Sequence, residues 1–152
     1  MAHGLYRLRD YPSSPREEIV AAWLRVGPDA LVSHQAALEL LDLADIIPDA
    51  IHVTVPRARR SLSRPPGAAI HTTTRPIAPG DVIVRGGIRL TAPARTIADV
   101  AQVGLAPDQV VRAAREALDR GLTTPERLRA SARGRGRRVE RLIEDALSRV
   151  AT

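Results

Sequence analysis

Three stretches of the sequence decide the fold: residues 32–40 (VSHQAALEL), 51–56 (IHVTVP) and 87–99 (GIRLTAPARTIAD). The first predicts a helix that Ser33 caps and whose apolar side chains recur at helical spacing. In the second, apolar side chains alternate with His52 and Thr54, which is typical of a half-buried strand. The third predicts a strand that runs directly into a helix capped by Thr91. These elements are the centre of the predicted domain.

Patterning outside these stretches completes the prediction. A capping box at residues 14–17 begins an N-terminal helix. Residues 69–74 predict a second strand, and residues 82–90 predict a hairpin with a Gly-Gly turn. The remainder is helical, and its last helix is strongly amphipathic. We therefore expect an α+β fold with a small, mostly antiparallel sheet of about four strands, flanked by N-terminal helices and a C-terminal helical bundle.

The composition narrows the possible functions. All 23 basic residues are Arg, so P-loop and protein kinase sites, which require Lys, are excluded in their usual form. The absence of Cys excludes disulfides and thiolate metal sites. No apolar run approaches the roughly 20 residues that span a membrane, and the first residues do not resemble a signal peptide. We expect a cytoplasmic protein without a membrane partner.

The net charge of +6 is unevenly distributed along the chain. A stretch without Arg predicts an acidic patch formed by Glu39, Asp42, Asp45 and Asp49. Two Arg-rich segments predict nucleic-acid or partner binding through Arg57, Arg59, Arg60 and Arg64 and through Arg133, Arg135, Arg137 and Arg138. The alternative for both segments is a solvated basic loop without a ligand. The pattern indicates charged partners.

Two polar pairs on predicted helices favour structural roles. Ser33 and His34 are adjacent, point in different directions and have no evident orienting acid, so we expect no catalytic pair. Thr96 and Asp99 lie three residues apart on one helix. We expect them to anchor that helix to the sheet, and a polar site with Arg95 or with the loop of Arg57 is the alternative.

The histidines favour neither a metal nor a cofactor. The four His show no metal-ligand spacing along the sequence. His52 and His71 lie where they can face each other across adjacent strands, but two imidazoles alone make a poor zinc site. We therefore expect a protein without enzymatic activity, metal or cofactor.

In their order and spacing, the three stretches quoted first resemble the antitoxins of AbiE-type bacterial toxin–antitoxin systems, the AbiEi family. The resemblance extends from about Gly4 to about Leu147. It implies an antitoxin that counteracts a nucleotidyltransferase-type (AbiEii-like) toxin and takes part in autoregulation of its operon. The acidic patch would then meet a basic, tRNA-handling face of the toxin.

The resemblance also implies a division of the chain. Residues 1–12 resemble the last strand of the family's N-terminal winged helix, and residues 13–152 resemble its antitoxin domain. Within that domain, residues 13–91 hold helices and sheet, and residues 92–152 are helical. The recognition helix that precedes the strand in the family has no counterpart here, so reading of operator DNA in the major groove is not implied for this chain.

Two alternative functions stay open on the sequence alone. One is a nucleic-acid-binding accessory domain of a transcriptional regulator, which contacts the phosphate backbone through its Arg-rich loops. The other is an endonuclease, since domains similar to this one are found fused to Vsr-like nucleases. The sequence has no acidic cluster with a Lys, which disfavours the nuclease.

Overall fold

In this computed structural model, residues 15–27, 29–44, 50–56, 67–73 and 77–151 are described. They form an α+β fold. The helices are α1 (Pro15–Val26), α2 (His34–Leu40), α3 (Pro93–Val103), α4 (Pro107–Asp119), α5 (Pro125–Ala132) and α6 (Arg137–Ala151). The strands are β1 (Leu31–Val32), β2 (Ile51–Val55), β3 (Ala68–Thr72), β4 (Val82–Arg85) and β5 (Ile88–Thr91). The predicted fold class and the C-terminal group of helices are confirmed.

The sheet differs from the prediction in its strand number and direction. Its order is β3-β2-β1-β5-β4. In the described ranges, β2 pairs in parallel with β3, and β1 pairs in parallel with β5. The β1–β2 and β4–β5 pairs are antiparallel. The prediction of a mostly antiparallel sheet of four strands is therefore wrong, because β1 has two residues, too few to show a period, and joins strands distant in sequence.

Local turn chemistry explains the elements that were predicted well. The β4–β5 hairpin turns at Gly86 (φ 56°) and Gly87 (φ 81°), and two successive positive φ angles are the geometry of a two-residue type I′ turn. Thr124 caps α5 by accepting a hydrogen bond from the backbone nitrogen of Arg127 at 3.2 Å. The turn and the cap both follow from the local conformational preferences of the residues that form them.

Neither of the two predicted helix caps makes a capping side-chain hydrogen bond. Ser33 occupies the N-cap position of α2, but its side chain makes no capping hydrogen bond. Its hydroxyl instead accepts a hydrogen bond from Thr54 on β2. Thr91 lies in β5, the N-cap of α3 is Ala92, and the Thr91 hydroxyl bonds to that of Thr96 at 2.6 Å. The Ser33 hydroxyl thus bonds to a strand that is distant in sequence, and the Thr91 hydroxyl bonds to the helix that follows it.

The two faces of β2 have different environments because side chains alternate along a strand. Val53 and Val55 point to one face, where they form an apolar cluster with Val26 of α1. His52 and Thr54 therefore point to the opposite face, and this is the face on which the polar residues of the molecule gather. The main apolar core includes fully buried side chains of the sheet and of α2 to α6: Leu38, Leu90, Ile97, Val110, Leu128 and Ile143.

No helix in the described ranges is both long and apolar enough to cross a membrane.

We expect Leu90→Ala to lower the free energy of unfolding by about 2–5 kcal/mol, because it removes a fully buried side chain from the middle of the core. Leu24→Ala is the matched control: Leu24 on α1 is 58% exposed, so its loss should change stability by about 0.5 kcal/mol or less. Urea unfolding followed by circular dichroism measures both. Equal losses for the two variants would contradict the described core.

Candidate functional site

The three stretches that decide the fold meet beside an open cleft of about 420 Å³. It lies between the ends of β2 and β3, the exposed edge of α3 and the turn that joins α5 to α6. Its polar lining includes His34, Thr54, His71, Arg95, Asp99 and Arg135. We call this the histidine–arginine cleft.

The pairing of β2 with β3 brings two histidines together. These strands run parallel with Thr54 opposite His71, so His52 and His71 are diagonal neighbours on the same face. The Nδ1 atom of His52 lies 2.8 Å from the Nε2 atom of His71, and one of the two nitrogens donates to the other. The prediction that these residues face each other across adjacent strands is confirmed.

His34 joins this pair because the chain turns sharply after β1. The backbone nitrogen of Ser33 still donates to the carbonyl of His52 at 3.0 Å, but His34 itself has a φ of 56°. This left-handed conformation is uncommon for a residue other than glycine. It accompanies stacking of the His34 ring on that of His71, with centroids 3.9 Å apart. The result is a cluster of three imidazoles.

Two hydroxyls hold His34 in place. The Ser33 hydroxyl lies 2.8 Å from Nδ1 of His34, and Thr54 donates to the same Ser33 oxygen at 2.8 Å. Ser33 is completely buried. Its hydroxyl therefore does not line the cleft, and its role in this geometry is to position the imidazole.

The imidazoles of His34 and His71 favour their neutral form. Burial, the neighbouring His71 and His52, and the guanidinium charges of Arg135 and Arg95 together lower the pKa of His34 from 6.5 to about 3. Burial and His52 also lower the pKa of His71, while the Asp99 carboxylate opposes this shift. Both rings therefore carry lone pairs rather than positive charge near neutral pH.

Asp99 links two guanidiniums on the opposite wall of the cleft. Its Oδ1 atom lies 2.7 Å from Nη1 of Arg135 and 3.5 Å from Nε of Arg95, one turn earlier on α3. Arg95 also reaches Asp81 at 3.2 Å and donates to Thr73 at 3.0 Å. The Arg135 and Asp99 side chains are 3% and 10% exposed. This network ties α3 to the sheet side of the cleft and to the α5–α6 turn.

The structure places the Arg residues of the C-terminal segment in different environments. Arg133 and Arg137 are exposed. The Arg135 side chain is buried inside the network just described. Arg138 donates from Nη2 to the carbonyls of Ala101 and Gln102 at the end of α3, where a cation complements the helix dipole.

Part of the predicted acidic patch is also visible. Glu39 is half-buried on α2, and Asp42 is exposed just beyond its end. Arg120 donates to the carbonyls of Leu41 and Asp42 at 3.0 and 3.1 Å and so fixes this end of α2. The other predicted site residues, Asp45, Asp49, Arg57, Arg59, Arg60 and Arg64, lie outside the described residues, as does the segment 1–12.

Thr96 has the anchoring role that was expected for a structural pair. Its hydroxyl donates to the carbonyls of Thr91 and Ala92 at 3.0 and 2.9 Å. These bonds join the end of β5 to the first turn of α3. Asp99 acts in a different place from Thr96. It faces the cleft and contacts Arg95, which was the alternative partner.

Sequence reasoning missed His34 and Arg135 as members of the cleft. His34 and Arg135 lie far from the other cleft residues in the sequence. In addition, helix periodicity cannot predict where the His34 side chain points, because its backbone is left-handed. The one available signal is that His52 and Thr54 share a strand face, which indicates that polar partners must cover them.

Comparison with models of known protein families and with curated proteins gives no significant match for this chain. The chemistry of the cleft therefore follows from its residues. Neutral imidazoles offer lone pairs to a metal or to a hydrogen-bond donor. The guanidiniums favour anions, and Asp99 partly neutralises them.

We expect Asp99→Asn to destabilise the protein by about 3 kcal/mol, because it takes the Asp99 carboxylate from the buried guanidinium of Arg135, while Arg95 keeps Asp81. Glu144→Gln is a matched control. The Glu144–Arg129 pair has the same 2.7 Å separation, but its side chains are 55% and 49% exposed, so its loss should not measurably change stability. Urea unfolding distinguishes the two. Similar small effects would show that the Asp99 network is not buried in solution.

The low pKa of His34 predicts a stability that falls with acid. The unfolded chain takes up a proton at this imidazole near pH 6.5, whereas the folded chain does so only near pH 3. The contribution is thus complete above pH 6.5 and declines as the pH falls towards 3. Between pH 7.5 and 4.5 we expect a loss of about 2–3 kcal/mol from this residue.

The matched variant for this measurement is His34→Asn, because Asn tolerates the left-handed backbone and does not titrate. Urea unfolding is measured at both pH values in the presence of a chelator, so that protons are the only ions taken up. Wild type should lose more stability than the variant. An identical loss in both proteins would show that His34 is not buried as a neutral group.

Proposed function

We propose that this protein is an AbiEi-type antitoxin that counteracts a nucleotidyltransferase-type toxin by binding it and that takes part in autoregulation of its operon. The observation that supports this is the contact between the three stretches that carry the resemblance. Val32 of the first stretch pairs with Val53 of the second and with Leu90 of the third. Ser33 and Thr54 add a side-chain bond between the first two. The stretches thus form one structural unit at the centre of the sheet.

The acidic end of α2 is the surface that we propose for the toxin. Asp42 is exposed just beyond the end of α2, and the half-buried Glu39 lies three residues earlier, within the helix. Arg120 holds the backbone of this corner. A toxin that handles tRNA needs a basic face, and opposite charges favour both encounter and register in a complex.

The geometry of the cleft supports a binding protein rather than a hydrolase. The Ser33 hydroxyl is buried beneath His34 and does not line the cleft. A nucleophile must reach its substrate. The Ser33–His34 pair therefore favours a positioning role over catalysis.

Binding of nucleic acid through the C-terminal Arg segment has less support. The guanidinium of Arg135 is bound to Asp99 and Gln102 inside the protein. Arg138 uses Nη2 to cap α3. Two of the four Arg side chains proposed for phosphate contact in this segment are thus already engaged.

The proposal predicts that co-expression of this chain with the nucleotidyltransferase-type toxin encoded beside it restores growth, and that the purified chain captures that toxin. Glu39→Gln combined with Asp42→Asn should weaken capture about 100-fold or more, because each of the two interfacial charge pairs contributes about 1.5 kcal/mol or more. Asn suits the left-handed backbone of Asp42 (φ 55°). Titration calorimetry measures the affinities.

The matched control replaces exposed acids elsewhere, Asp119→Asn with Glu126→Gln, and should leave capture unchanged. If the wild-type chain does not restore growth, the antitoxin proposal is contradicted. Restored growth without capture would contradict direct binding. Retention of upstream DNA with a steep salt dependence, and no effect on the toxin, would favour the regulator alternative instead.

A further inference from the structure

We propose that His34, His52 and His71 together bind a divalent transition-metal ion of the Zn²⁺ class, with a fourth coordination position open to the histidine–arginine cleft. The site goes beyond the antitoxin proposal and does not depend on it. It also replaces the expectation of no metal, which rested on a pair of histidines. Folding adds the third imidazole to that pair.

The separations of the imidazoles suit one small ion. One ligand atom from each ring can be chosen so that all three lie within 4.8 Å of one another. Zinc bonds to imidazole nitrogen at about 2.0–2.1 Å with tetrahedral angles, which places ligand atoms about 3.3 Å apart. The His52 and His71 nitrogens are now 2.8 Å apart, so the ion would separate them by about half an ångström. Each nitrogen lone pair lies in the plane of its ring, and the His34 and His71 rings are stacked 17° from parallel, so binding also requires these two rings to tilt out of the stack.

In the tautomer in which Nδ1–H of His34 donates to Ser33, the other ring nitrogen is left for a metal. Thr54 donates to the Ser33 oxygen, and a hydroxyl oxygen can accept a second hydrogen bond from Nδ1–H of His34. The lone pair of the ring is then on Nε2. A metal-bound imidazole usually donates its other N–H to such a partner, which fixes the ring and its tautomer. Ser33 and Thr54 supply this support for His34.

The proton between His52 and His71 must also move. One of the two facing nitrogens carries it, and both lone pairs must point to the ion once it binds. The proton passes to the other nitrogen of the same ring, so each imidazole stays neutral. Burial has already lowered the pKa of His34 and His71, and a neutral imidazole is the form that a metal takes.

The cleft gives the ion an entry path and a fourth ligand. His34 and His71 both line this space of about 420 Å³, which is roomy enough for water or a small anion. Three protein ligands with one open position is the arrangement of catalytic and exchangeable zinc sites, whereas structural sites are closed by four protein ligands.

The charged groups that face the cluster affect the binding of a cation there. Arg95 and Arg135 repel a cation, and both already lower the pKa of His34. Asp99 opposes them through its contacts with both guanidiniums, and Asp81 neutralises Arg95 further. The remaining positive potential favours an anion, such as hydroxide or phosphate, in the fourth position.

The test uses the full chain, stripped of metal with a chelator and dialysed, and Zn²⁺ alone as the probe. We expect one Zn²⁺ ion per chain by calorimetry. In ¹⁵N spectra, the imidazole nitrogens of His34, His52 and His71 should shift on binding. Mg²⁺, which prefers oxygen ligands, should give neither signal.

Three variants report on the site by affinity. His71→Gln should weaken Zn²⁺ binding more than about 100-fold, and Ser33→Ala should weaken it about 10–100-fold through lost support of His34. Asp119→Asn is the control, because Asp119 is an exposed carboxylate on α4 that is not part of the cluster, and it should bind as wild type. Zn²⁺ should also raise the melting temperature of wild type but not of His71→Gln.

Several results would overturn the proposal. These are the absence of Zn²⁺ binding by wild type, binding without shifts of the three imidazoles, or binding that is lost in Asp119→Asn and kept in His71→Gln. The spectra of wild type decide the question even where a variant fails to fold. Because the readout is metal binding, a failed toxin assay leaves this result unaffected, and the reverse also holds.

Discussion

The left-handed backbone at His34 is the constraint on which the cleft depends. A positive φ at such a residue costs on the order of 1–3 kcal/mol, so the surrounding contacts must stabilise it. Three contacts surround it: the bond from the Ser33 nitrogen to His52, the Thr54–Ser33–His34 side-chain bonds, and the stacking of His34 on His71. The partner residues in these contacts, His52, Thr54 and His71, lie on β2 and β3. The turn into α2 and the pairing of these strands therefore support each other.

The opposite wall of the cleft depends on a buried carboxylate. Asp99 lies between Arg95 and Arg135, and Arg95 continues the network to Asp81 and Thr73. Buried ion networks contribute less to net stability than well-packed apolar side chains, but removal of one charged member strongly destabilises the protein. This network holds polar groups in the cleft at fixed positions. A fixed, polar and accessible surface is what recognition of a ligand or partner requires.

The sequence predicted the elements whose signals are local. The alternation in β2 gave both its conformation and the shared face of His52 and Thr54. The Gly86–Gly87 turn gave the hairpin, and the apolar period of α6 gave the last helix. Long-range features could not be read in this way. Strand β1 is too short to show a period, and its parallel partner β5 lies more than 50 residues away in the sequence. The burial of Arg135 depends on Asp99, which lies 36 residues earlier.

The most direct measurement is a nuclear Overhauser spectrum of the imidazole protons of the full chain, recorded with a chelator. The central claim is that the turn after β1 brings His34 onto the histidine pair of β2 and β3. Ring centroids 3.9 Å apart for His34 and His71, and 5.1 Å apart for His52 and His71, predict cross-peaks within both pairs. Cross-peaks between His52 and His71 alone, with none to His34, would contradict the account.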